Sequence, residues 1–162
     1  MLDEIAFAMN ADIGPSNPGA NPMHSEAERV VTVVDDDAAV RNSLRFLLEI
    51  IGYRVTTYAS AAHFLDEARV DGPACLVVEE HMAEQTGLQL ISHLRGQGVR
   101  LPAVLITSAP SPDLIRRAGE LSVVKVLEKP LDEKLLLDFI ACATPSDHRR
   151  NGSARCPKEP RR

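Results

Sequence analysis

The sequence has no tryptophan and only two tyrosines and four phenylalanines in 162 residues. Any core must therefore be built from Leu, Ile, Val and Ala. No apolar run reaches the roughly 18 residues that a membrane-crossing helix needs. The first residues lack the basic region followed by a continuous apolar stretch that marks a secretory signal, so a cytoplasmic location is expected. Cysteine is scarce: Cys75, Cys142 and Cys156 are too widely spaced for a zinc pattern. Their odd number argues against a disulfide framework, and they read as buried or tail thiols. A GxSxG elbow, a Walker loop and a GxGxxG fingerprint are all missing. An enzyme is not expected.

What is present is ordinary for a globular chain: 44% apolar and 25% charged residues, at a length that fits one domain with tails. The net charge of -5 hides an asymmetry. Residues 1–28 carry five acids and no Lys or Arg. Within them Gly14-Pro15-Ser16-Asn17-Pro18-Gly19-Ala20-Asn21-Pro22 reads as a linker, preceded by Leu2, Ile5, Ala6 and Met9 at the spacing of a short amphipathic turn. The other end, 144–162, is basic: Arg149, Arg150, Arg155, Lys158, Arg161 and Arg162 stand against Asp147 and Glu159. A basic tail can touch nucleic acid or an acidic partner, but this one has no aromatic residue for base stacking and reads as a solvated tail. Both ends are expected to be flexible and dispensable for folding, leaving 29–143 as the folded domain.

Between them the hydrophobic period alternates. Val30–Val34, Tyr53–Tyr58, Cys75–Val78, Leu101–Thr107 and Val123–Leu127 are short apolar runs of strand character. Each is followed by a helical pattern: 38–51 with Val40, Leu44, Leu47, Leu48 and Ile51, stopped by Gly52; 60 to about 70, capped by Ser60 and broken by Asp71-Gly72-Pro73; Leu88, Ile91 and Leu94, closed near Gly96; 111–120 with Pro112 at its first position; and 131–143. Five strand–helix repeats imply an α/β fold, a three-layer, doubly wound parallel sheet.

In such sheets ligands bind beyond the carboxyl ends of the strands, where the winding reverses. The residues there are Asp35 and Asp36, Glu79, Thr107, and Lys129 with Pro130. Clustered carboxylates repel, so a cation or Lys129 must offset them. Oxygen ligands of this kind suit Mg²⁺, whereas a hydroxyl and an ammonium suit phosphate oxygens.

At these residues the sequence resembles bacterial response-regulator receiver domains. The likeness rests on Val33-Val34-Asp35-Asp36-Asp37, Ile106-Thr107-Ser108 and Leu127-Glu128-Lys129-Pro130. Val40-Arg41-Asn42-Ser43-Leu44 and Tyr58-Ala59-Ser60-Ala61-Ala62-His63-Phe64-Leu65 add a FixJ-type flavour. The resemblance implies a flavodoxin/CheY-like sheet of order 2-1-3-4-5. It implies Mg²⁺ held by Asp35 or Asp36, the acceptor position and the carbonyl of His81. It also implies a histidine kinase as phosphoryl donor, with Thr107 and Lys129 on the phosphoryl group. By the same likeness the fourth helix, fifth strand and fifth helix form the partner face, with a homodimer through it as a further alternative; Arg116, Arg117, Lys125, Glu133 and Asp138 give it mixed charge.

Two positions depart from the family pattern. The acceptor aspartate is Glu79 in the segment Glu79-Glu80-His81-Met82-Ala83-Glu84-Gln85-Thr86-Gly87, and the switch aromatic three residues before Lys129 is Val126. Val126 is equally an ordinary strand residue, and His81 reads as an exposed loop residue. Glutamate carries its charge about 1.5 Å further than aspartate, one C–C bond, which spoils in-line attack. Glu79 thus either imitates the phosphorylated state or marks a receiver that binds partners without phosphorylation; the missing aromatic favours the second. The expected function is a stand-alone, atypical receiver acting as an interaction module in two-component signalling. The alternatives are a conventional receiver inefficiently phosphorylated on Glu79, and a small phosphatase or phosphotransferase. The last is disfavoured because His81, not a carboxylate, stands two residues after Glu79.

Overall fold

A computed structural model describes residues 29–67 and 74–144. The elements alternate strictly: β1 (Val30–Val34), α1 (Ala38–Ile50), β2 (Arg54–Tyr58), α2 (Ala61–Glu67), β3 (Ala74–Glu79), α3 (Gly87–Gly96), β4 (Ala103–Thr107), α4 (Pro112–Glu120), β5 (Lys125–Glu128) and α5 (Glu133–Ala143). All strand pairs are parallel, in the order β2-β1-β3-β4-β5. This is the expected doubly wound sheet. The two tails, and the expected break at 71–73, lie outside the described residues.

The alternation of side chains along each strand builds two cores. Val31, Val33, Cys75, Val77, Val104 and Ile106 pack with Leu44 and Leu48 of α1 and Leu136, Phe139 and Ile140 of α5. Val34, Leu76, Val78, Ala103 and Leu105 pack on the other face with Phe64, Leu88, Leu90, Ile91, Leu94, Leu114 and Ala118 from α2, α3 and α4. The inner strands β1, β3 and β4 are nearly all apolar because both their sides are covered, whereas the edge strand β2 exposes Arg54 and Thr56. Cys75 is fully buried, and burial pushes its thiol up to about 12, so it is an inert core residue.

Side-chain caps set the helix starts. Asp37, Ser111 and Asp132 accept backbone N–H bonds at α1, α4 and α5. Thr86 and Gln89 form a reciprocal capping box at α3, and Ser60 accepts from the His63 N–H at α2. Gly52, at φ 91, turns the chain from α1 into β2. At the other boundary Thr144 caps α5; it is buried and donates its hydroxyl to the Ile140 carbonyl.

Two features were not expected. β5 starts at Lys125, two residues later than its apolar run, as β4 also does at Ala103; Ser122 takes a left-handed φ of 56, and the Val124 N–H already donates to the Ala103 carbonyl at 2.7 Å. Second, Arg95 ties together the end of the sheet opposite the acidic edge. Its guanidinium donates to the carbonyls of Leu121, Val99 and Leu101 at 3.0, 2.8 and 2.7 Å. Burial, with help from Arg100, lowers its pKa, yet an arginine stays charged at any ordinary pH. Replacing it leaves those carbonyls without this donor. Arg95→Ala should destabilise the fold by about 2–4 kcal/mol, with Arg95→Lys recovering only part, since a single ammonium cannot reproduce the planar fork. Urea unfolding of the two variants checks this.

Candidate functional site

The sheet register brings the chemistry together. Val34 of β1 pairs with Val78 of β3, Glu79 with Ile106 of β4, and Thr107 with Glu128 of β5. Hence Asp35, Glu79, Thr107 and Lys129 leave their strands at one edge, over the β1–β3 junction where the winding reverses. The Lys129 N–H donates to the Thr107 carbonyl at 2.9 Å, which anchors the last segment beside β4. The Lys129–Pro130 peptide is cis.

Asp35 and Glu79 are both buried, at 2% and 4% exposure. Asp35 Oδ1 accepts the Asp37 N–H at 2.8 Å, and Glu79 Oε1 accepts the His81 N–H at 3.1 Å. The remaining oxygens, Asp35 Oδ2 and Glu79 Oε2, have no hydrogen-bond partner apart from the Lys129 ammonium turned toward them. Lys129 Nζ forms a tight ion pair with Glu79 Oε2 and lies 3.8 Å from Asp35 Oδ2. Burial lowers the Lys129 pKa, but the Glu79 hydrogen bond and the Glu79 and Asp35 charges outweigh it, so the net shift is upward. The ammonium is firmly protonated and acts as the site's internal counter-ion.

Burial raises the Asp35 pKa; the Asp37 N–H and Lys129 offset part of this, while Glu79 and Asp36 add to it. An acid whose pKa is higher in the folded than in the unfolded chain binds more protons when folded. Its contribution to stability falls as pH rises from the unfolded value of 3.8 through the raised folded one, and stays lost above it. Removing that charge should therefore stabilise the fold at neutral pH. Asp35→Asn keeps an oxygen for the Asp37 N–H and should raise stability at pH 7, with the gain shrinking toward zero near pH 3. Denaturant melts at the two pH values test the sign.

The other expected site residues divide. Thr107 is fully buried. Its hydroxyl accepts the Ala109 N–H at 3.2 Å and lies 3.4 Å from His81 Nδ1. The His81 ring is exposed, as expected, but it also stands over the pocket, 3.9 Å from Glu79 Oε1. Asp36 faces solvent. Val126 pairs with Leu105 and packs against the α2–α4 core.

Among the described residues no group of three His, Cys, Asp or Glu side chains is placed to share a metal ion. The expected Mg²⁺ ligands, Asp35 or Asp36, Glu79 and the carbonyl of His81, include a backbone oxygen and at most two such side chains besides Asp36, so they fall outside that count. Two buried carboxylates meet an ammonium, and Asp36 stands apart from them in solvent.

Two functional neighbours were missed. Arg41 Nη1 donates to the Asp35 carbonyl at 2.6 Å and holds the β1–α1 turn. Glu80 is buried, and its Oε2 accepts the Leu88 N–H at 2.8 Å. Its own N–H donates to the Ile106 carbonyl, and its carbonyl accepts from the Gly87 N–H. A carboxylate at a helix N-terminus is favourable, so Glu80 locks the residue after Glu79 to the start of α3. The eight-residue separation from Glu80 to Leu88 matches no local rule, so no sequence signal marks this contact.

Comparison with known proteins agrees with this geometry. The family model for the response regulator receiver domain matches residues 31–141. The transcriptional regulatory protein FixJ of Azorhizobium caulinodans is 37% identical over 107 residues, covering 66% of this chain and 51% of that protein. Nodulation protein W of Bradyrhizobium diazoefficiens is 31% identical over 134 residues, covering 82% of this chain and 59% of the relative. The chain thus spans only half to three-fifths of the length of these curated relatives. Among solved structures, the response regulator StyR superposes with a TM-score of 0.69 at 35% identity, over 73% of this chain and 60% of the other. FixJ-N superposes with a TM-score of 0.66 at 28% identity, over 72% of this chain and 93% of the other. No helix among the described residues is long and apolar enough to cross a membrane. With its sheet order, its acidic strand ends and these likenesses in agreement, the chain belongs to the response-regulator receiver-domain family, as a FixJ-type, CheY-like receiver of two-component signalling.

Proposed function

We propose that this chain is an atypical receiver that works as a protein-interaction module and does not take a phosphoryl group. One observation carries the reading: the carboxylate at the acceptor position belongs to Glu79 and is already claimed by the Lys129 ammonium. An acceptor carboxylate must present a free oxygen in line with the phosphorus. Here Oε1 is held by the His81 N–H and Oε2 by Lys129. The pair supplies internally the charge neutralisation that a metal and a phosphoryl group would otherwise bring, so Mg²⁺ competes with Lys129 and binds weakly. The chain is accordingly not an enzyme.

The partner is a histidine kinase or another two-component protein, and it docks on the face of α4, β5 and α5. Support for that face is local. Arg116 is tied to Asp113 and Glu120, and Lys134 to Asp138, within their own helices. These pairs fix a pattern of charge around Ile115 and Leu135, both exposed. Val126, which has no ring to turn inward, leaves the face indifferent to the state of the pocket.

Incubation with acetyl phosphate and Mg²⁺, followed by intact-mass measurement, tests the reading. The natural protein should gain no phosphoryl mass. A stoichiometric adduct mapped to Glu79 would falsify it in favour of a working, glutamate-based receiver.

A further inference from the structure

We propose that His81 is a positioning residue that engages the Thr107 hydroxyl, so that the pocket is latched twice, by Lys129 on Glu79 and by His81 on Thr107. The inference rests on the reading of an unphosphorylated receiver and adds a second cause to it. Glu79→Asp removes only the first latch.

The hydroxyl sets the requirement. Thr107 is fully buried at the end of β4. Its oxygen already accepts the Ala109 N–H at 3.2 Å. The hydroxyl proton is left to donate, and a buried donor without an acceptor is costly. His81 Nδ1 lies 3.4 Å from that oxygen, across 26 residues of sequence. With the ring proton on Nε2, an imidazole presents Nδ1 as an acceptor. The Thr107 carbonyl meanwhile accepts the Lys129 N–H at 2.9 Å, so the residue is held through backbone and side chain alike.

The loop after β3 brings the ring to this place. The His81 N–H donates to Glu79 Oε1 at 3.1 Å. Glu80, the residue before it, is fixed three times. Its N–H donates to the Ile106 carbonyl at 2.7 Å, its carbonyl accepts the Gly87 N–H at 3.1 Å, and its carboxylate accepts the Leu88 N–H at 2.8 Å. His81 is left with little freedom beyond rotation of its side chain among rotamers. The ring stands between solvent and the two buried groups, with 58% of its side chain exposed and Nδ1 3.9 Å from Glu79 Oε1. One residue thus touches both the carboxylate and the hydroxyl. Phosphate oxygens only accept, so Thr107 can serve them only by donating its proton. That proton must first leave Nδ1, just as the Lys129 ammonium must first leave Glu79. Both groups suited to a phosphoryl group are therefore engaged by residues at the end of β3.

The test follows labelling of the full chain by acetyl phosphate with Mg²⁺, in which the shortened carboxylate of Glu79→Asp attacks phosphorus and acetate leaves. Adding His81→Ala should speed labelling about three- to tenfold, the worth of one neutral hydrogen bond. Adding His81→Phe, which keeps a ring but has no Nδ1, should speed it as well. In a Thr107→Val background the same His81 substitutions should change the rate by less than about twofold, because no hydroxyl remains to be released. Thr107→Ser should restore the acceleration. A rate unchanged or lowered by His81→Phe, or equal acceleration with and without the hydroxyl, would overturn the proposal in favour of a ring that only shields the pocket. A second readout needs no labelling. In the natural chain the Ala109 amide, which donates to the Thr107 oxygen, should shift its resonance in His81→Phe, and an unmoved resonance would also overturn the latch. Labelling of the natural protein counts against the unphosphorylated reading alone, and loss of the Thr107 dependence counts against the latch alone.

Discussion

Glu79→Asp should be phosphorylated by acetyl phosphate to a readily measured extent, where the natural protein stays unlabelled. The argument is geometric. Shortening the side chain by one methylene withdraws the carboxylate by about 1.5 Å. Its oxygen then no longer reaches Lys129 as a tight pair, and one lone pair becomes available beside the ammonium. The remaining apparatus is already placed. Lys129 Nζ lies 3.8 Å from Asp35 Oδ2, and the buried Thr107 hydroxyl lies 3.4 Å from His81 Nδ1. Attack of the new carboxylate on phosphorus forms an acyl phosphate and releases acetate, so atoms and charge balance without another reactant. The freed Lys129 ammonium moves from a carboxylate partner to the developing phosphoryl oxygens, where a point charge is most useful. Because an unlabelled baseline is being compared with a chemically competent acceptor, a rate difference of two or more orders of magnitude is expected. Phosphate-sensitive gel electrophoresis with and without Mg²⁺ reads it. Binding to the partner should not change, since Val126 gives the site no aromatic lever on the α4–β5–α5 face. A Glu79→Asp protein that folds and remains unlabelled would show that the defect lies elsewhere in the pocket, most directly in the loop from Glu80 to Gly87.

That loop is also where the sequence was hardest to read. The strand ends were legible because an apolar strand buried on both faces stops abruptly at the first charge: Asp35 after Val34, Glu79 after Val78. The doubly wound topology then obliges those ends to meet, and the need for a cation or Lys129 among the carboxylates follows from Coulomb's law alone. What could not be read were contacts made by long side chains across large sequence separations. Arg95 clamps Leu121 from 26 residues away, and nothing in its local pattern distinguishes it from a solvated arginine at a helix end. The start of β5 was placed two residues early because Val123 and Val124 look like strand; the Val124 N–H does bond the Ala103 carbonyl, but the paired register opens only at Val104 and Lys125. His81 was expected as an exposed loop residue with a useful carbonyl; its ring also stands over Thr107 and Glu79. Ring placement is decided by the turn after β3, which depends on Glu80 and Gly87 together.

Gly87 is therefore the position where a single methyl group should do most damage. It is the first residue of α3 and is buried under the end of β3. A Cβ built there would lie 2.5 Å from the Glu79 carbonyl oxygen and 2.9 Å from Leu105 Cδ1. The leucine could give way, but the carbonyl belongs to a central strand whose ladder and core positions are fixed on both sides. The helix cannot retreat easily either. Its start is held by the Glu80 carboxylate on the Leu88 N–H, by the Gly87 N–H on the Glu80 carbonyl, and by the Thr86–Gln89 box. Relief of the clash must break at least one of these, leaving a buried carboxylate or N–H without its partner. Overpacking in a closed core costs about 1–3 kcal/mol, and loss of a hydrogen bond to a charged group about 1.5–3 more. Gly87→Ala should thus destabilise the domain by about 3–5 kcal/mol, while Gly96→Ala, where an added Cβ meets nothing within 4 Å, should be close to neutral. The displaced carbonyl is that of Glu79 itself, so the damage should be felt at the site as well. Amide resonances of Glu79 and His81 should move in any fraction of Gly87→Ala that remains folded, and in Glu80→Gln, which keeps the side chain's shape but weakens its bond to Leu88, they should move less. Urea unfolding of the three variants, with amide spectra of the folded ones, decides the matter; a Gly87→Ala domain as stable as Gly96→Ala would mean that β3 and α3 are not locked together.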